Sequence, residues 1–253
     1  GGAASPIVPR HDGTTTAAPS SVGDRIKNGD SVVQIEDLAS EEECQYLCHT
    51  CAGLQTAPTS LETPGLLRLP TIGAARRAAV RCTPCADPLP RDVDELLGTI
   101  LLRAMGIIDE GIPSIRTSLF GGEESIRQLA VDNQLKYSSR EPAMNVYSPG
   151  GEFLAHKDAQ ALTVLLPLSR PKEDFRGGGT SFWSQDARGH RVEEPSVVLK
   201  PRAGSAMLFG GCVTHAGVPV ESGTRVVFVA SFSSAKDVQP LIAEHRDIYG
   251  DSL

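Results

Sequence analysis

The chain has 253 residues, with 24 Lys+Arg against 31 Asp+Glu, a net charge of −7 and 40% hydrophobic residues. That length buries one large core or two small ones. Its longest apolar runs, such as Leu162–Leu168, are too short to span a bilayer, and the acidic balance argues against a surface that grips nucleic-acid phosphates by bulk charge.

Residues 1–30 are rich in Gly, Ala, Ser, Thr and Pro without apolar periodicity, and are expected to form a disordered arm. A support region of strands and helices is expected over 31–135. Ser31–Glu36 alternates like a strand. Ser40 then caps a helix, with Glu43 closing a capping box. Pro58, Pro64 and Pro70 predict a stretch that is largely loop, followed by a short basic helix within Leu69–Ala79. A longer helix is expected over Pro88–Met105. Asp92 is its cap, and Val93, Leu96, Leu97, Ile100, Leu101 and Ala104 form its apolar stripe.

From about residue 135 the texture changes. Short apolar or alternating runs are separated by Gly, Pro, Asp and Ser, predicting strands near 142–147, 153–158, 161–168, 179–184, 196–200, 205–209, 213–217 and 225–233. Eight short strands suggest a β sandwich or barrel over 136–236, with the helices packed on one face. A closing helix is expected at Asp237–Asp247, within a 237–253 tail.

Six cysteines stand at 44, 48, 51, 82, 85 and 212. Cys44, Cys48 and Cys51 fall on one helix face, and Cys82-Thr-Pro-Cys85 is a CxxC pair. Disulfides, a zinc site and buried thiols acting as small hydrophobes are all compatible with this spacing. Pairing would favour the endoplasmic reticulum or secretion, and free thiols the cytoplasm. No charged segment followed by an apolar one opens the chain as a signal peptide would.

The chemistry concentrates at His156-Lys157-Asp158. On a strand, residues two apart share a face, so the imidazole and the carboxylate project together. A second histidine completes a facial triad for non-haem Fe(II), and His215 is the candidate. His-x-Asp alone is a weak signal, and His245-Arg-Asp247 repeats it in a polar tail where no His follows. Four neighbours strengthen the first match. Arg225 opens the apolar strand Arg225–Phe232, where it is costly to bury unless a carboxylate meets its planar fork. Tyr147 stands before the HxD strand, where its hydroxyl offers a second donor to the same carboxylate. Gly177, Gly178 and Gly179 permit positive φ or close backbone approach, and no helix start or Lys follows to make them a phosphate cradle. Gly204–Phe209 supplies the strand that leads to the turn before His215. If Arg225 faces inward, Val227, Val229 and Ser231 share its side.

These pieces together resemble the Fe(II)/2-oxoglutarate dioxygenases, specifically the prolyl 4-hydroxylase-like branch. The match runs through Tyr147-Ser-Pro-Gly-Gly-Glu-Phe-Leu-Ala-His156-Lys-Asp158, Leu162–Leu168, Gly178-Gly-Thr-Ser-Phe182 and His215–Arg225, with a weaker likeness over Val32–Cys44. The resemblance implies an α+β, mainly β fold. Its core is a double-stranded β-helix, or jelly roll, with supporting N-terminal helices. It implies that His156, Asp158 and His215 bind Fe(II), and that Arg225, helped by Tyr147, holds the distal carboxylate of 2-oxoglutarate. The cosubstrate is O2, with ascorbate as a supporting reductant. The implied reaction is hydroxylation of an unactivated C–H bond, most readily of a peptidyl proline or an amino-acid-like substrate, with release of succinate and CO2. Trp183 departs from the Pro that often follows the Gly-Gly-x-Thr-x-Phe motif.

Two other readings stay open. One is a nucleic-acid demethylase of the alkylation-repair branch, which the Asn145-x-Tyr147-x-x-Gly150 motif also resembles. Against it stand the acidic charge and the missing Arg-x-Asn strand. The other is a non-catalytic jelly roll with a vestigial metal site. A halogenase is disfavoured because Asp158 fills the position that halide would need. Substrate choice falls to loops 168–178, 185–194 and 56–72. Lys172, Arg176, Arg188 and Arg191 make two of them basic, to meet either solvent or an acidic peptide, protein or small-molecule substrate.

Overall fold

The computed structural model describes residues 20–54, 64–81, 86–122, 124–184 and 191–235. Among these residues six helices precede or flank two main sheets. They are α1 (Val22–Lys27), α2 (Glu41–Leu54), α3 (Ile72–Val80), α4 (Arg91–Gly111), α5 (Pro113–Phe120) and α6 (Ile126–Val131). The major sheet runs β1 (Val33–Ile35), β10 (Ala206–Gly210), β6 (Leu162–Pro167), β13 (Arg225–Ser234), β4 (Ala143–Tyr147), β2 (Leu66–Pro70), and β3 (Leu135–Tyr137) also pairs with β13. The minor sheet runs β5 (Phe153–His156), β11 (Thr214–Gly217), β8 (Thr180–Trp183), β9 (Val197–Leu199), and β7 (Phe175–Gly177) pairs with β12 (Val220–Gly223). Every ladder pairing is antiparallel. This is the expected mainly-β jelly roll with N-terminal helices, although its sheets remain two separate layers.

Apolar period and pleat position the layers. Along α4, Val93, Leu97, Ile100, Leu101, Ala104, Met105 and Ile108 are buried. They join one core with Met144, Val146, Val164, Leu166, Leu208, Val226, Phe228 and Phe232. Those strand residues alternate, so one face of the major sheet packs on helices. The intervening residues face the minor sheet. All ten residues of β13 are buried, which is why it reads as a continuous apolar run rather than an alternating one. The Ser40–Glu43 box forms as expected, with reciprocal bonds of 3.2 and 2.8 Å. Arg103 on α4 then clamps Glu43 with both terminal nitrogens, joining α4 to the start of α2.

Several expectations need correction. Within the stretch read as a disordered arm, Val22–Lys27 is helical, with Ser21 and Asp24 forming a capping box and Ile26 fully buried. Six residues are too few for periodicity to appear. Within the proline-rich stretch read as loop, Leu66–Pro70 is an edge strand paired with β4. Pro70 takes its end, where a missing N–H is tolerated. Asp92 does not cap α4. Pro90 holds that position without a side-chain bond, and Asp92 instead accepts from the Tyr46 hydroxyl. The strands β3, β7 and β12 and the helices α5 and α6 fall outside the elements that the sequence pattern predicts. Cys44, Cys48, Cys51 and Cys212 are free thiols, with Cys44 and Cys51 buried as small hydrophobes. Burial pushes the Cys48 and Cys51 thiols up to about 12. Among the described residues the helix-face cysteines form neither a disulfide nor a metal cluster. Cys82, Cys85 and the helix expected at 237–247 lie outside the described residues. No helix among the described residues is long and apolar enough to cross a membrane.

Candidate active site

Antiparallel pairing in the minor sheet sets His215 directly opposite His156. Their rings lie 4.3 Å apart. Asp158 follows β5 by two residues. Its carboxylate oxygens stand 3.5 Å from His156 Nε2 and 3.7 Å from His215 Nε2. One ligand atom from each of the three falls within 4.8 Å of the others. The close approach depends on Gly211. A Cβ there would sit 1.9 Å from the Gln160 carbonyl oxygen and 2.7 Å from that of Asp158, so only glycine lets the turn before β11 pack on the loop that carries Asp158.

The surroundings orient these ligands. His156 Nδ1 lies 2.7 Å from the Leu154 carbonyl and His215 Nδ1 3.2 Å from the Val213 carbonyl. With each Nδ1–H donating outward, both Nε2 lone pairs face the centre. The hydroxyl of Thr163, on β6, donates to Asp158 Oδ2, and that of Ser231, on β13, lies 3.4 Å from the same oxygen. Burial alone would raise the Asp158 carboxyl, but His156, His215 and Thr163 outweigh it and hold it at about 2. Burial pulls His215 down to about 4, leaving a neutral imidazole. Burial also pulls on His156, but Asp158 more than offsets it and the pKa lies above the ordinary value. A negative carboxylate and two imidazole nitrogens form the donor set of a 2-His-1-carboxylate metal centre with open positions.

The opposite wall of the same cavity is the major sheet. Register places Arg225 opposite Tyr147, with Val227 opposite Asn145 on the same face. Arg225 is 3% exposed. Its Nη2 donates to the Thr180 hydroxyl at 3.1 Å, and its guanidinium lies 4.9 Å from the centre of the Tyr147 ring. Its Nη1 is buried without a hydrogen-bond partner, and burial pulls its pKa below the ordinary value. Gly178 makes room for it, since a Cβ there would lie 3.1 Å from Arg225 Cδ at a φ of +58°. Among the described residues this buried guanidinium, with its unused donor, has no carboxylate partner. Iron at the triad and 2-oxoglutarate reaching towards Arg225 therefore fit the residues present.

His156, Asp158, His215, Arg225 and Tyr147 all line one cavity, with Val229 on the side expected from strand parity. Thr163, Glu141 and Arg68 carry no role in the sequence reading, and Asn145 and Thr180 enter it only as members of motifs. For Thr163 and Arg68 a signal existed: each is a polar residue inside an apolar run. Lys172, Arg176 and Arg191 do not line the cavity. Arg191 instead stacks 5.3 Å from the centre of the Trp183 ring. Arg188 lies outside the described residues.

Residues 142–232 match the model of the 2OG-Fe(II) oxygenase superfamily. The chain is 35% identical over 80 residues to mouse procollagen-lysine,2-oxoglutarate 5-dioxygenase 1, a match covering 31% of this chain and 10% of that protein. It is 32% identical over 88 residues to human procollagen-lysine,2-oxoglutarate 5-dioxygenase 2, covering 33% and 11%. The chain thus spans about a tenth of the length of these curated relatives. In fold it is similar to a Pseudomonas putida prolyl-4-hydroxylase, at TM-score 0.50 and 14% identity over 83% of this chain and 95% of that one. The residues that match the 2OG-Fe(II) oxygenase superfamily model thus hold both the His-Asp-His triad and the buried arginine that share one cavity, on a fold similar to that of a prolyl-4-hydroxylase.

Proposed function

We propose that this protein hydroxylates an unactivated C–H bond of a peptidyl proline or an amino-acid-like substrate, with 2-oxoglutarate converted to succinate and CO2. The observation that carries the reading is the shared cavity. A triad with free Nε2 lone pairs stands on one wall, and a buried arginine with an unsatisfied Nη1 on the other. Bound iron, together with 2-oxoglutarate and O2, would supply the oxidant that activates the C–H bond, one oxygen atom going to succinate and the other to the substrate.

The chain's own residues perform the remaining work. Thr163 holds Asp158 in one rotamer, so that the carboxylate meets the metal already desolvated. Leu154 and Val213 carbonyls fix both imidazole tautomers. Arg225, backed by Thr180 and Tyr147, would hold the distal carboxylate of 2-oxoglutarate. Phe153, Leu165 and Val229 supply apolar cavity wall that excludes water around a reactive centre. The test is anaerobic addition of Fe(II) and then 2-oxoglutarate to the metal-free protein. A weak visible charge-transfer band that His156→Ala lacks is expected. Folded protein that binds iron but gives no band would overturn the reading in favour of a vestigial site.

A further inference from the structure

The cavity contains a second arginine that the cofactor does not need. Arg68 lies on β2 directly opposite Asn145, so pleat places it on the cavity face of the major sheet. Its side chain is 12% exposed. Its Nη2 donates to Glu141 Oε1 at 2.8 Å, while its Nε is buried without a hydrogen-bond partner. Glu141 is fixed from the other side, because its Oε2 accepts the Ser231 N–H at 2.7 Å. Phe153 stands between Arg68 and the metal centre. Its ring centre is 5.6 Å from the Arg68 guanidinium and 4.7 Å from that of His156.

The pattern resembles that at Arg225, with one difference. Arg225 has no carboxylate of its own, whereas the charge of Arg68 is already balanced by Glu141. A free carboxylate arriving at Arg68 would sit beside Glu141, so the buried, unpartnered Nε–H suits an uncharged oxygen. A main-chain carbonyl is such an acceptor. Phe153 offers an apolar flank for the adjoining part of the substrate.

We propose that Arg68 is a substrate-positioning residue that donates its Nε–H to a main-chain carbonyl of a peptide substrate, with Glu141 holding its guanidinium in place. The inference rests on the proposed function and narrows it, favouring a peptide over a free amino acid.

The test uses protein loaded anaerobically with Fe(II) and 2-oxoglutarate, titrated by calorimetry with an end-capped proline decapeptide and with free L-proline. The wild type is expected to bind the peptide more tightly than L-proline. Arg68→Lys keeps the pair with Glu141 but loses the Nε donor. It should keep the charge-transfer band and weaken peptide binding about fivefold to tenfold, the loss of one hydrogen bond. Arg68→Met combined with Glu141→Gln removes both charges and leaves neither buried alone, and it should show the same pattern. An unchanged peptide affinity in Arg68→Lys would overturn the assignment, as would a lost band in both variants or tighter binding of L-proline. A wild type that gives the band but does not bind the peptide would overturn this inference alone. A wild type without the band would overturn the proposed function as well.

Discussion

The strand Arg225–Ser234 presents opposite chemistries on its two faces. Towards the helices it offers Val226, Phe228, Ala230 and Phe232, all within the main core. Phe232 packs its ring 5.8 Å from Phe120 and 5.7 Å from Tyr137. Towards the cavity it offers Arg225, Val227, Val229 and Ser231. That side contains a buried guanidinium with an unused donor and a hydroxyl near Asp158. Both faces are buried, so burial alone does not distinguish them. The helix face has every group satisfied within the protein and gains about 25 cal/mol per Å² of apolar area. The cavity face leaves Arg225 Nη1 without a partner, a cost in stability that a bound ligand would recover. Stability and ligand recognition thus occupy alternate residues of one strand.

This contrast can be broken at single positions. The largest effect belongs to the triad: His156→Ala or Asp158→Ala should reduce succinate formation to background while circular dichroism remains native. Next is the helix face. Phe228→Ala should destabilise the fold by about 3–5 kcal/mol in urea, the range for a buried aromatic truncated to a cavity. Arg225→Met should act in the opposite sense. The ligand-free protein should be as stable as wild type or more so, because a buried charge without a carboxylate partner is removed. Its Kd for 2-oxoglutarate, read from the charge-transfer band, should rise about a hundredfold, as expected for lost charged hydrogen bonds. An Arg225→Met protein that lost stability as severely as Phe228→Ala would erase the distinction between the faces. The smallest effect is expected at Thr163→Val. It removes the hydroxyl that orients Asp158 and should weaken Fe(II) binding about tenfold with little change in unfolding free energy.

Legibility followed length and spacing. Spacing is local within the HxD pair and over the ten residues from His215 to Arg225, and each of these residues is unusual in its setting. An Arg at the head of an apolar strand is one example. Arg68 carries the same signal in Leu66-Leu-Arg-Leu-Pro70, but the surrounding prolines led to its reading as loop. That segment pairs with β4, 73 to 81 residues away in sequence (Pro70 with Ala143 at one end, Leu66 with Tyr147 at the other), and no local pattern reveals it. Glu141 is similar. Its role depends on Arg68 and on the Ser231 amide, neither of which is near it in the chain.

By itself the sequence determined what period and residue type control. These are the amphipathic α4, the Ser40–Glu43 cap, the strand-rich second half and the identity of the metal-ligand trio. Each of these rests on interactions within a few residues or on chemistry that few side chains can perform. Only the tertiary structure decided which faces met. It set His215 opposite His156, placed Thr163 and Ser231 against Asp158, left Arg225 without a carboxylate, and gave Arg68 one in Glu141. The physical reason is that cross-strand register and sheet-on-sheet packing are fixed by the summed burial of many distant residues, so no local window contains them.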